Sequence, residues 1–204
     1  MSAQAEKFAE QFDVSRETLN ALSVFASLVK KWSPKINLIA PGTLPQIWSR
    51  HISDSAQLLS LAPETAQTWV DLGSGGGFPG LIIAVMRPDL QVTLVESDQR
   101  KATFLRTASR ETGAGAKVIS KRIEQLEPME ADVVSARALA SLEKLIEFAE
   151  LHAAPDGTAI FPKGARHKTE LAEAQKTWSF TYSSHPSLTD PEAAILKIGE
   201  IARV

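Results

Sequence analysis

The hydrophobic period changes near residue 66, and that change divides the chain. Before it, apolar side chains recur at helical spacing. Residues 2–13 place Phe8 and Phe12 four apart and predict a short helix. Ser15 is placed as the N-cap of a second helix, where Leu19, Leu22, Ala26, Val29 and Trp32 fall on one face. Pro34 is expected to end it. Asn37-Leu38-Ile39 reads as an extended link. Thr43 caps a third predicted helix, with Pro45 in its first turn, running to about Leu61. His51, Asp54 and Ser55 share one face of that helix, between the apolar Trp48, Ile52, Leu58 and Leu59. Such a face is either a satisfied polar pair joining this helix to its neighbours or the border of a ligand pocket.

From Thr68 the pattern becomes short apolar runs alternating with helical stretches. Strands are predicted at 68–72, 91–96, 117–120, 132–135 and 158–161. Helices are expected at 81–86, from Ser97 to Gly113, at 141–151 and from Lys168 to about Trp178, with a short helical turn at 123–126. Pro155-Asp156-Gly157 reads as a turn and Pro162 to Arg166 as a loop. The runs 179–185 and 195–201 flank a Pro/Asp turn and read as an antiparallel pair. Alternating strands and helices predict an α/β fold, a mostly parallel seven-stranded sheet with helices on both faces. Residues 1–65 would form a helical cap and 66–204 the sheet domain, the two able to make one compact unit.

Between the first strand and its helix lies Val70-Asp71-Leu72-Gly73-Ser74-Gly75-Gly76-Gly77-Phe78-Pro79-Gly80. A glycine turn there brings backbone close to a nucleotide. Gly75, Gly77 and Gly80 match the G-x-G-x-x-G of dinucleotide sites, so an NAD-dependent oxidoreductase is one reading. Three features favour S-adenosylmethionine (SAM). Asp71 enters the turn, where a carboxylate repels a pyrophosphate and attracts an ammonium and sulfonium. Asp71, Gly73 and Gly75 follow the D-x-G-x-G order of SAM sites. Phe78 is bulky where a dinucleotide helix needs a small residue. Glu96, about twenty residues past the glycines, is placed to accept both ribose hydroxyls. Ile123 and Glu124 follow the third strand, at the position that borders adenine.

Composition narrows the chemistry further. The net charge of -2 means that any nucleic-acid surface must be a local patch. Lys30, Lys31, Lys35, Arg50, Arg100, Lys101, Arg106, Lys121, Arg122, Lys163, Arg166 and Lys168 are candidates for it. With no cysteine, disulfides, thiolate metal sites and a cysteine nucleophile for cytosine C5 methylation are excluded. No metal site is expected. No run approaches the roughly 20 apolar residues of a membrane span, and the N-terminus lacks a signal-peptide pattern, so the expected location is the cytoplasm. The fourth strand ends in Ser135-Ala136-Arg137-Ala138, without the Asn/Asp-Pro-Pro-aromatic motif that grips exocyclic amines. An acceptor that is already nucleophilic remains. Guanine N7 has a lone pair and no proton, so it needs positioning rather than a general base. Arg137 would orient SAM or contact guanine O6.

These motifs together resemble the bacterial small-subunit rRNA guanine-N7 methyltransferases, the RsmG or glucose-inhibited division protein B (GidB) family. The resemblance runs from Trp32 to about Gly164. It rests on Asn37-Leu38, Arg50-His51 with Asp54-Ser55, the glycine loop continued by Phe78-Pro79-Gly80, Ser135 to Ala138, and Lys163-Gly164. It implies the class I SAM-dependent methyltransferase fold, SAM as methyl donor, and N7 of a guanine in the 530 loop of 16S rRNA as acceptor. Gly73, Phe78, Ile123, Glu124 and Arg137 would then touch SAM, with Asp71, Gly75 and Glu96 completing the site. Arg50, His51, Lys163 and Arg166 become candidates for RNA or base contact. The partner would be 16S rRNA, in the 30S subunit or its precursor, met by a monomer. A SAM-fold RNA-binding ribosome assembly factor is the non-enzymatic alternative.

Overall fold

Seven strands form one sheet in the order β3-β2-β1-β4-β5-β7-β6 in the computed structural model, which describes residues 2–204. They are β1 (Thr68–Leu72), β2 (Gln91–Val95), β3 (Lys117–Ile119), β4 (Ala131–Ser135), β5 (Ala153–Lys163), β6 (Trp178–Pro186) and β7 (Ala194–Arg203). β1 pairs in parallel with β2 and β4, so Asp71 has Leu94 on one side and Ser135 on the other. β7 is antiparallel to both β5 and β6. The first four strands are short and largely apolar, as expected where helices cover both faces of a sheet. The chain reverses at β1, with β2 to one side and β4 to the other, and ligands of such sheets bind at that switch point.

Helices α4 (Gly80–Met86) and α5 (Gln99–Thr112) cover one face, and α6 (Leu142–His152) and α7 (His167–Ala174) the other. Asp98, not Ser97, caps α5, its carboxylate accepting from the Arg100 and Lys101 amides at 2.8 and 3.1 Å. Gly113 ends α5 with φ +69. The cap helices α1 (Ala3–Phe12) and α2 (Arg16–Ile36) pack on the α4/α5 side. Phe25 of α2 meets Phe78 at 5.2 Å and Phe104 at 6.3 Å between ring centroids. One cluster of buried side chains runs without a break through Leu22, Phe25, Leu81, Ile82 and Phe104.

Local expectations fail where tertiary contacts take over. Pro34 lies inside α2, which continues to Ile36 and is closed by Asn37 in the left-handed region (φ 51), its N–H bonded to Ser33 O. Asn37 is therefore a helix cap, and Leu38 and Ile39 are buried. The third helix begins at Pro41 rather than after Thr43, and is irregular throughout. It passes through a 3-10 stretch (Pro41–Gln46), a π turn (Trp48–Ser53), α3 (Asp54–Ala56) and a second 3-10 stretch (Gln57–Leu61). The Pro155-Asp156-Gly157 turn is absorbed into β5, where a register shift against β4 takes up the extra residues. Pro162 and Lys163 extend β5 by pairing with Ile195 and Ala194. Proline's missing N–H is tolerated there at the strand's end.

Candidate active site

A cleft of about 550 Å³ opens beyond the carboxyl ends of β1, β2 and β4. That volume is in the roughly 300–1,000 Å³ range of small-molecule sites. Gly73, Gly75, Phe78, Glu96, Ile123, Glu124 and Arg137 line it. The glycine turn that floors it is tied down on both sides. The Ser74 amide donates to Val95 O at 3.0 Å, and the Gly77 amide donates to Ser74 O at 2.7 Å. Gly73 holds φ +65, and a Cβ built on it would stand 2.6 Å from Leu139 Cδ1. A side chain there would meet backbone strain and would fill the cleft.

Glu96 brings a carboxylate to this wall. One oxygen accepts the Gly75 N–H at 2.8 Å and the other the Asp98 N–H at 2.8 Å. Each oxygen keeps a further lone pair, enough to accept a pair of ribose hydroxyls. Ile123 is nearly buried in the short helical turn after β3, and Glu124 is exposed at the rim. The Glu96 carboxylate and the bare backbone at Gly73 fit a nucleoside.

Asp71 departs from the expectation that it touches the ligand. It is fully buried below the turn. Its carboxylate accepts the Ser135 hydroxyl at 2.8 Å and the Gly80 amide at 3.2 Å, and Ser135 Oγ in turn accepts Trp69 Nε1–H at 2.8 Å. Asp71 therefore anchors the first residue of α4 rather than reaching the cleft. Gly80 permits this, since a Cβ on it would sit 2.4 Å from Leu94 Cδ2 and 2.6 Å from Asp71 Cβ. Burial raises the Asp71 pKa to about 6, against the pull of hydrogen bonds from Ser74, Ser135 and Gly80 and of the Arg137 charge.

Arg137 joins the cleft to the third helix. Its Nη1 donates to Asp54 Oδ2 at 3.2 Å and to Arg50 O at 3.4 Å. Its Nη2 donates to His51 Nδ1 at 2.9 Å. The guanidinium also stands 5.1 Å from the Phe78 ring centroid, in cation–π range. Arg50, whose carbonyl accepts from Arg137, lies within the π turn. His51 Nε2 meets Thr43 Oγ1 at 2.8 Å, and Thr43 Oγ1 donates to Ala40 O at 2.7 Å. This chain of donors assigns the ring proton to Nε2 and makes Nδ1 the acceptor. Burial, then the Arg137 and Arg50 charges, lower the His51 pKa to about 4, so the ring is neutral at pH 7. Both ring nitrogens are engaged inside the protein, which leaves His51 orienting Arg137 rather than facing RNA. Arg137 keeps its Nε–H and one Nη2 hydrogen for a ligand.

Lys163 is likewise held inside. Its Nζ pairs with Glu170 Oε2 at 2.6 Å and donates to Ala140 O at 3.1 Å. The same Glu170 oxygen accepts the Leu142 amide at 2.9 Å. Lys163 thus pins the loop after β4 to the start of α6, instead of presenting its charge to solvent. Arg50 and Arg166 are exposed. Lys101, Lys121, Arg122 and Lys144 line the cleft itself and bring basic charge to its rim. Sequence reasoning missed Leu38, Leu139 and Phe148 in the cleft wall and Thr43 as the partner of His51. Among the described residues, no group of three or more His, Cys, Asp or Glu is placed to hold a metal ion, and no helix is long and apolar enough to cross a membrane.

The strand order, the antiparallel β7 and the cleft at the β1 switch point define the class I methyltransferase architecture. The family model described as "GidB: rRNA small subunit methyltransferase G" matches residues 18–196, and the chain belongs to that family. A relative from Ruegeria pomeroyi, named ribosomal RNA small subunit methyltransferase G, is 52% identical over 200 residues, covering 96% of this chain and 98% of its own. A second of that name, from Cereibacter sphaeroides, is 50% identical over 203 residues and 98% of each chain. Among solved structures, the glycopeptide N-methyltransferase MtfA complexed with SAM superposes with a TM-score of 0.60 over 73% of this chain and 93% of that one. It is 8% identical, so the likeness concerns the fold.

Proposed function

We propose that this chain is a methyltransferase that moves the methyl group of SAM to N7 of a guanine in the 530 loop of 16S rRNA. The family match over residues 18–196 carries the reading as an rRNA methyltransferase. The cleft supports the donor: Glu96 takes the ribose, Gly73 lets the backbone approach, and Ile123 lies against the base. SAM supplies, when bound, a sulfonium methyl that a lone pair can attack. The protein's part is to hold that methyl in line with guanine N7 and to exclude other nucleophiles.

Three features support N7 as the acceptor. The chain has no cysteine to activate a pyrimidine. Ser135 to Ala138 occupy the place where amine methyltransferases carry a gripping motif. His51 has no unengaged nitrogen with which to act as a base, and N7 needs none. Arg137, with two hydrogens left over, donates to guanine O6 or to the donor's tail. The exposed Arg50 and Arg166 and the cleft-rim lysines meet RNA phosphates. The substrate is 16S rRNA, in the 30S subunit or its precursor, bound by a monomer in the cytoplasm. A base in such a target must be looped out to reach the cleft.

Equilibrium titration separates this reading from an oxidoreductase. SAM is expected to bind and NAD not to bind. Gly73→Val should abolish SAM binding while the fold is retained, since forcing a β-branched residue to φ +65 costs about 1–3 kcal/mol. NAD binding without SAM binding would end the proposal.

A further inference from the structure

The tip of the β6/β7 hairpin lies more than a hundred residues from the third helix in sequence, yet it is bonded into the site. Asp54 gives one carboxylate oxygen to Arg137 at 3.2 Å. Its other oxygen accepts the Thr189 hydroxyl at 2.7 Å and the Gln57 side-chain amide at 2.9 Å. Gln57 is itself buried, with its side-chain carbonyl on the Leu188 amide at 2.8 Å and its NH2 also donating to Ser187 Oγ at 3.2 Å. The Thr189 amide donates to the same Ser187 oxygen at 3.2 Å, so the tip arrives as a preformed turn. A carboxylate facing Arg137 alone is free to pivot about its own axis. Donors on the second oxygen fix its plane, and with it the direction from which Arg137 is held.

We propose that Thr189 and Gln57 are positioning residues of the methyl-transfer site. By orienting the Asp54 carboxylate, they hold the Arg137 guanidinium against Phe78 and His51 with its unused hydrogens toward the cleft. The C-terminal hairpin is then part of the active site rather than an edge that only completes the sheet. Three supports hold Arg137: Asp54 from below, the Arg50 carbonyl from the π turn, and His51 from the side. Of these, only the Asp54 support depends on the hairpin. The inference rests on the reading of Arg137 as a working group of the site.

Thr189→Val removes the hydroxyl at nearly constant volume, and Thr189→Ser keeps it. Methyl transfer to 30S subunits from a strain lacking this protein is expected to lose about three- to tenfold in kcat with Thr189→Val, the worth of one ordinary hydrogen bond, since Gln57 still donates to the same Asp54 oxygen. Thr189→Ser should restore it. The second readout is the His51 ring in an NMR titration. Arg137, Arg50 and Asp54 are the charged groups around that ring. If Arg137 swings away in Thr189→Val, the His51 titration moves up toward the ordinary histidine range. A merely structural hairpin contact would lower the melting temperature and leave that titration where it was. Unchanged kcat with an unmoved His51 titration, or failure of Thr189→Ser to rescue, overturns the proposal. Arg137→Lys distinguishes the two levels. If it leaves transfer intact, the reading of Arg137 falls and takes this inference with it. If it impairs transfer while Thr189→Val does not, only the inference falls.

Discussion

Asp71 is a carboxylate with no exposed surface, kept there by two donors, the Ser135 hydroxyl and the Gly80 amide, and by the absence of any side chain at Gly80. Its raised pKa has a consequence for stability. The folded chain holds this proton more tightly than the unfolded chain, because the folded pKa is about 6 and the ordinary value 3.8. Its contribution is therefore most favourable at low pH and declines as pH rises from about 4 to about 6, by about 3 kcal/mol. Asp71→Asn removes that decline, and an amide oxygen can still accept the Gly80 N–H. Denaturant melts of both proteins at pH 4 and pH 7 are expected to show Asp71→Asn gaining on the parent as pH rises. A pH-independent difference would contradict the assignment. Asp71 also shows what sequence alone conveys at this scale. The D-x-G-x-G order was legible because glycine spacing is local. That the acid points down at the start of α4 was not, because its burial depends on Leu94 and Ser135 from two other strands.

At the scale of elements, the loop from Arg137 to Ser141 is suspended between two anchors. Arg137 ties its beginning to the third helix, and Lys163 of β5 ties its end through Ala140 and Glu170. Between them Ala138 adopts φ 54 and Leu139 lies over Gly73. Lys163→Met would leave Glu170 partly buried without its cation and the loop without its second anchor. The expected cost is about 2–3 kcal/mol of stability, together with weaker SAM binding by calorimetry. Loss of stability with unaltered SAM affinity would show that the loop does not depend on this post. Elements of the sheet domain were legible because their apolar runs are short and separated by glycine and proline. The third helix was misread in detail because its π and 3-10 turns answer to tertiary bonds, His51 to Arg137 above all. Asp54 and His51 could be flagged from their spacing. Thr189 could not, since nothing local marks a residue whose partner is 135 positions away.

Across the whole molecule, cap and sheet share one core. Leu22, Phe25 and Val29 of α2 are fully buried against Leu81, Ile82 and Phe104, and Leu38 O stands 2.9 Å from where a Gly76 Cβ would be. Residues 66–204 expressed alone would expose that face, each large side chain costing about 1.5–3 kcal/mol. The fragment is expected to lack a cooperative melt, and a sharp transition matching that of the full chain would refute a shared core. The cap also brings His51, Asp54 and the Arg50 carbonyl to Arg137, so the site is completed across the boundary at which the hydrophobic period changes. The central claim is that this assembled site methylates guanine N7 in the 530 loop. Mapping N7-methylguanosine along 16S rRNA, in cells with and without this protein, tests it most directly. The modification is expected in the 530 loop only when the protein is present, and a 530 loop unchanged by its removal would contradict the account.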